Sequence, residues 1–255
     1  MDIVVAIPSY NCANQIGRVI AGFDESLLAR VREVVIIDNC SRDGTTEAAV
    51  AAVKRIGNPK IQVVRNLENF GLGGSHKAAF SHARRIGADY VAILHGDNQA
   101  TTGELNSLID AAEQEPGLTA VLGSRFMRGA RLSGYSTLRT IGNRCLNFLY
   151  TILAMRRTSD LGSGLNIFRL RDLNDLRYMH FSDQMTFNID LLLDYYAKGS
   201  AVRFVPISWS ETDQVSNAKT FKVGWIALKA LVRWRFGLAH RYPPRPGGYS
   251  FAKVA

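Results

Sequence analysis

Apolar runs alternate with helix-period segments from the first residues of the chain. Ile3–Pro8 is a continuous apolar run of strand length, and helical spacing follows over about Asn14–Phe23. The pair recurs as Glu33–Asp38 with Thr45–Ile56, and as Ile61–Arg65 with a helix to about Ile86. It recurs again as Val91–Leu94 with Thr102–Glu113, and Thr119–Gly123 closes the series. This regularity predicts an α/β fold, a mostly parallel central sheet flanked by helices on both faces. Past Gly123 the alternation fades: Ser136–Met155 and Thr186–Lys198 read as helices, Ser163–Phe168 and Ala201–Ile207 as strands. The predicted division is one domain over 1–220, then a basic amphipathic helix and flexible tail over 221–255.

Polar positions cluster where strands stop. Ser9–Cys12, Asp38–Gly44, Asn66–Gly74 and His95–Gln99 each end a strand. Carbonyl ends of parallel neighbours converge, so these four turns should build one cleft. In His95-Gly96-Asp97-Asn98-Gln99 a carboxylate and an amide stand two apart, on one side of an extended segment. Oxygen ligands of this kind suit Mg²⁺ or Mn²⁺, which keep waters and substrate phosphates in their shell. Asp38 could accept two bonds from a ribose diol or a base N–H. Gly71, Gly73 and Gly74, opening a helix, read either as a phosphate cradle or as a tight turn; their spacing fits neither a Rossmann fingerprint nor a P-loop.

Composition narrows the partner. The 255 residues are 47% hydrophobic, enough for one sizeable core. A formal charge of +9 and a pI near 9.7 call for an anionic partner. From Arg203 onward nine Lys or Arg residues face only Glu211 and Asp213, so seven of the nine net charges lie in the last fifth. Nucleic acid is disfavoured, because aromatics do not interleave with the basic residues of the N-terminal half. Three irregularly spaced cysteines (Cys12, Cys40, Cys145) imply no disulfide framework, as in a reducing cytosol. The N-terminus enters a strand without signal-peptide features.

In the C-terminal helix Phe221, Trp225, Leu228 and Val232 share one face, and Lys222, Lys229 and Arg233 another. Its central cations would each cost about 2.5–3.5 kcal/mol in a bilayer, against about 0.3–0.6 returned per apolar residue. The helix is therefore expected to lie in the plane of an anionic leaflet, with Trp225 and Trp234 at the interface, or to pack on the core with a basic outer face.

The order of the turns resembles family 2 glycosyltransferases of the GT-A fold, and within them the dolichyl- or polyprenyl-phosphate sugar synthases. Ile7-Pro8-Ser9-Tyr10-Asn11 is similar to the family's Ile-Pro-x-Tyr-Asn, and Asp38-Asn39-Cys40-Ser41-Arg42-Asp43-Gly44-Thr45 to Asp-Asp-x-Ser-x-Asp-Gly-Thr. His95-Gly96-Asp97-Asn98-Gln99 resembles Asp-Ala-Asp-x-Gln, Gly123-Ser124-Arg125 matches Gly-Ser-Arg, and Asp160-Leu161-Gly162-Ser163-Gly164 resembles Asp-x-x-Ser-Gly. The resemblance implies a GDP- or UDP-linked sugar held by Pro8, Tyr10 and Asp38, with Asn11, Asn39 and Gly71 beside them. It implies Asp97 and Gln99 on the metal, with His95 where the family has aspartate. It also implies Arg125 and Arg144 on the phosphate of a polyprenyl or dolichyl acceptor, joined by Ser163 and by Lys219. Further departures are Asn39 for aspartate, Cys12 for glutamate, Asp213 for arginine and Ser216 for glycine.

The expected reaction is inverting transfer in a single displacement, carried out peripherally at the cytosolic face of a membrane. A saccharide hydroxyl as acceptor would need a general base, with Asp160 the first candidate and Asp190 the second. A phosphate acceptor is already an anion and needs only positioning, in which case Asp160 orients the site. A non-catalytic nucleotide- or nucleic-acid-binding protein is the remaining alternative.

Overall fold

The computed structural model describes residues 1–213 and 220–255. The chain opens as β1 (Ile3–Ser9), α1 (Ala13–Ala21), α2 (Glu25–Arg30), β2 (Glu33–Asp38), α3 (Thr45–Ile56) and β3 (Ile61–Asn66). It continues through α4 (Gly71–Arg85), β4 (Tyr90–Leu94), α5 (Leu105–Gln114), β5 (Ala120–Ser124), β6 (Leu132–Ser133) and α6 (Thr137–Ala154). β7 (Leu165–Arg169), α7 (Phe187–Ala197), β8 (Val202–Pro206), β9 (Trp209–Ser210), α8 (Thr220–Arg235) and β10 (Phe251–Lys253) complete it.

Eight strands form one sheet in the order β10-β3-β2-β1-β4-β7-β5-β8, and β6 pairs with β9 in a separate ribbon. β1 is central and all seven of its residues are buried, as expected of a parallel strand covered on both faces. Its side chains alternate between two cores. Ile3, Val5 and Ile7 pack under α1, α2, α3 and α5, while Val4 and Ala6 pack under α4, α6, α7 and α8. Full burial is worth about 1.5–3 kcal/mol for each such side chain.

Two strands depart from the expected pattern. β7 runs antiparallel between β4 and β5, and β10 runs antiparallel to β3 at the sheet edge. A strand buried on both faces carries the same apolar run whichever way it points, so periodicity does not reveal direction. The tail is accordingly not a free end: Phe251–Lys253 pairs with β3, and Tyr249 packs edge-on against Phe70 at 5.4 Å.

α8 also differs. It packs beside α6 on the core, burying Ala227 and Leu231, and the Tyr150 hydroxyl donates to Ala227 O at 2.6 Å. Trp225 and Val232, on the apolar face read from the sequence, are exposed, whereas the core-packing alternative would have buried them. The small Ala227 lets the helix approach closely, and bulk on the other face is turned outward.

Candidate active site

The carbonyl ends of β1, β2, β3, β4 and β5 converge as expected, and their turns form one edge. Three of these turns hold a non-glycine residue at positive φ: Asn11 (50°), Cys40 (60°) and Asn98 (56°). Such strained backbone gathers where a fixed geometry is needed for function.

The metal turn is anchored on three sides. Gly96 N donates to Pro8 O at 3.0 Å, His95 N to Gly164 O at 2.9 Å, and Ser210 N to Gln99 O at 2.8 Å. A Cβ on Gly96 would lie 2.3 Å from Ser9 Oγ, so only glycine lets the turn press against the end of β1. Asp97 accepts one bond, from Gln99 N at 3.2 Å. Burial raises its carboxyl above the ordinary range; His95 opposes the shift and Glu211 adds to it.

A carboxylate destabilised by burial suits a divalent cation, and buried Gln99 could join it only through its amide oxygen, since its unpartnered Nε2 is a donor. The described residues hold no cluster of three His, Cys, Asp or Glu that could cage a metal alone. Asp97 and the Gln99 amide would therefore contribute part of a shell, leaving the rest to ligand phosphates and water. His95 is committed elsewhere. Its Nε2 lies 3.3 Å from Nε2 of His76, a fully buried residue of α4. Gly164 closes over the ring, where a Cβ would sit 2.7 Å from His95 Nδ1. Burial lowers both imidazoles, so the pair is neutral and one ring N–H serves the other ring nitrogen.

On the donor side the turns are clipped to one another. Pro8 is buried within β1, while Tyr10 and Asn11 face solvent at its end. Asp38, expected on the ribose, is fully buried, accepts from Ser41 N and Thr46 Oγ1, and pairs with Arg65 Nε at 3.5 Å. Asn39 is likewise spent, its Oδ1 accepting from Asn66 Nδ2 and Phe70 N and its Nδ2 donating to Asn69 Oδ1. In the glycine turn Gly71 N donates to Asn69 Oδ1, and Gly73 N and Gly74 N donate to Asp183 O, so three of the helix's four leading N–H groups are occupied, as in a tight turn rather than a phosphate cradle. A Cβ on Gly73 would lie 2.3 Å from Ser182 O; these glycines exist for close backbone approach. Cys12, at the family's glutamate position, is buried and its thiol is pushed up to about 12.

Opposite lies a cationic aromatic cluster. Arg125 donates to both Asp160 oxygens at 2.8 Å, and Asp160 also accepts from Arg125 N and Gly162 N. The guanidinium sits over Trp209 at 4.9 Å and Phe126 at 5.2 Å. Four donors engage Asp160, an arrangement that suits its second expected role, orienting the site, better than that of a general base. Arg125, in turn, holds an internal partner, and Ser163 Oγ is turned inward to Leu165 O and Asn166 Oδ1. Arg144 is exposed on α6. Ser216 and Lys219 lie outside the described residues, as do the side chains of Phe221 and Lys222.

Sequence reading missed Glu211, Tyr135, Arg139 and Trp209 as a group. Glu211 accepts from Arg139 and from Trp209 Nε1, and Arg139 lies 4.3 Å over the Tyr135 ring. β6 and β9 bring these segments together beside the metal turn. Two-residue strands leave no periodic signal; an acid two residues past Trp209 at a strand end was the available hint.

The sequence profile described as glycosyl transferase family 2 matches residues 4–177. An uncharacterised protein of Methanocaldococcus jannaschii is 24% identical over 216 residues, 83% of each chain. The undecaprenyl-phosphate 4-deoxy-4-formamido-L-arabinose transferase of Edwardsiella ictaluri is 26% identical over 82% of this chain, which spans 60% of that protein's length. Glucosyl-3-phosphoglycerate synthase of M. tuberculosis superposes with a TM-score of 0.68 at 16% identity, over 96% of this chain and 92% of that one. The same synthase solved with Mn²⁺, UDP and glucosyl-3-phosphoglycerate gives 0.63 at 16% identity, over 99% and 86%. This likeness shows a shared GT-A fold.

Proposed function

This chain belongs to glycosyl transferase family 2, and from that premise we propose that it moves a sugar from a nucleoside-diphosphate donor to a polyprenyl or dolichyl phosphate. The observation that carries the reading is Asp97, half-buried at the carbonyl end of β4, its carboxyl raised by burial and accepting from Gln99 N at 3.2 Å. Asp97 and Gln99 would hold Mg²⁺ or Mn²⁺, whose contribution when bound is to offset negative charge on the departing nucleoside diphosphate. The Mn²⁺ and UDP of the glucosyl-3-phosphoglycerate synthase complex support this assignment. Tyr10 and Asn11, the exposed groups of the first turn, are the residues available to a nucleotide.

The acceptor reading rests on proton chemistry. A hydroxyl acceptor needs a base, worth about 10²–10⁴-fold, and Asp160 is saturated by Arg125 and Gly162. Asp190 is pushed up to about 6 by burial, yet it faces Ser182 N and the Lys77 ammonium. A phosphate acceptor needs no base, only cations that orient it. The name of the Edwardsiella relative supports the same class. We place the enzyme peripherally on an anionic cytosolic leaflet, with exposed Lys229, Arg233 and Arg235 of α8 in support. Among the described residues no helix is long and apolar enough to cross a membrane.

Thermal shift against GDP- and UDP-sugars with Mn²⁺ tests the donor half of this reading. One donor should raise Tm in the wild type and lose that effect in Asp97→Ala. An undiminished shift in the variant would remove Asp97 from donor binding.

A further inference from the structure

α6 is apolar on two sides. Its inner face sets Leu146, Tyr150, Leu153 and Ala154 on the core, with Asn147 buried among them. Its outer face carries Leu138, Ile141, Phe148, Ile152 and Met155, all exposed, with Phe148 at 64%, Ile152 at 53% and Met155 at 84%. With Cys145 these positions step by three and four along the helix, a continuous stripe about 27 Å long. Scattered apolar residues are ordinary on a surface, but a contiguous stripe of this length marks a docking face.

Charge selects the occupant. Between Glu115 and Asp160 the sequence has no acid and seven arginines, of which Arg144, Arg156 and Arg157 are exposed on or just beyond α6. After Asp213 the chain again has no acid. α8, packed beside α6, adds exposed Trp225, Val232 and Phe236, with Lys229 Nζ 5.3 Å from the Trp225 ring centroid. A second copy of this chain would set arginine against arginine across the stripe. A surface of apolar chains beneath anionic headgroups satisfies both features at once. The Asn147 amide also ties α6 to Ser159 O, next to the Arg125–Asp160 pair, so the same helix bounds the proposed acceptor side.

We propose that α6, flanked by α8, seats the enzyme on an anionic leaflet, the outer stripe entering the headgroup boundary while Arg144, Arg156 and Arg157 meet lipid phosphates. This deepens the lipid-phosphate reading and rests on it for its purpose, though not for its test.

The full chain is mixed with phosphatidylcholine vesicles, with or without phosphatidylglycerol and containing no polyprenyl phosphate, and bound protein is measured by flotation. Wild type should float with the anionic vesicles only, and Phe148→Glu/Ile152→Glu should lose about tenfold or more of that binding with Tm unchanged. Arg156→Glu/Arg157→Glu should weaken it similarly and flatten its salt dependence. Floating of the stripe variant at wild-type levels would overturn the proposal, as would a wild-type dimer in light scattering that the stripe variant dissolves into monomers. Failure of the acceptor reading shows separately, as absent transfer to a detergent-solubilised lipid phosphate by wild type that still floats.

Discussion

Arg125 and Asp160 show how a single pair of side chains decides between mechanisms. Both are buried and each satisfies the other, so removing one leaves an uncompensated charge. Asp160→Ala and Arg125→Ala should each destabilise the fold by about 3–5 kcal/mol, while Arg125→Met/Asp160→Leu should cost far less than the two combined; denaturant unfolding of the cycle reads the difference. A catalytic base would instead leave stability intact and abolish transfer. Asp190 gives a pH-dependent counterpart. Its carboxyl holds a proton to about 6 in the folded chain against 3.8 ordinarily, so the folded state binds the extra proton between those values. That contribution is complete below 3.8 and lost as pH rises through about 6. Asp190→Asn should accordingly raise Tm by up to roughly 6–12 °C at pH 8 and lose this advantage near pH 4. At this scale the sequence placed Asp97 in a turn at a strand end, and it stands in the turn that follows β4. It did not show that Asp38, Asn39 and Asp160 already accept from neighbours, because residue type does not reveal which partners a side chain has taken.

Among the elements, α3 was legible to the residue, because Gly57 at φ 66° supplies a left-handed cap just past its last turn. β1 to β5 followed from apolar runs bounded by polar turns. β7 was read as a strand without its antiparallel direction, and β9 and β10 were not read at all, since direction and two- or three-residue pairings lie outside what periodicity encodes. Glycine in a helix was equally ambiguous. Gly73 is pressed against Ser182 O, whereas Gly142 in α6 has nothing within 4 Å of where its Cβ would stand. Gly73→Ala should destabilise the protein, and Gly142→Ala should stabilise it by about 0.5–1 kcal/mol through helix propensity. Equal effects in chemical denaturation would contradict the close-approach reading of the glycine turn. α6 carries the same lesson: its apolar period announces a helix, but only packing shows that a second apolar stripe faces outward.

Across the molecule, the C-terminal segment binds the layers together. Buried Lys77 donates to Phe181 O and to Asp183 Oδ1, both at 2.7 Å, and the Tyr249 hydroxyl donates to the same Asp183 oxygen at 2.6 Å. Arg245 pairs with Glu68 and lies 5.0 Å over Phe70. The glycine turn, the loop before α7 and the tail thus form one knot behind the cleft, leaving the metal turn and the Arg125 cluster as its walls. The account makes this cleft a site of sugar transfer to a lipid phosphate through Asp97. Its most direct test is incorporation of labelled sugar from the donor found by thermal shift into organic-extractable undecaprenyl or dolichyl phosphate, with Mn²⁺ present. Wild type should form the product, and Asp97→Ala or metal chelation should reduce it by about 10²-fold or more. Undiminished product with Asp97 removed, or label passing only to a soluble saccharide, would contradict the account.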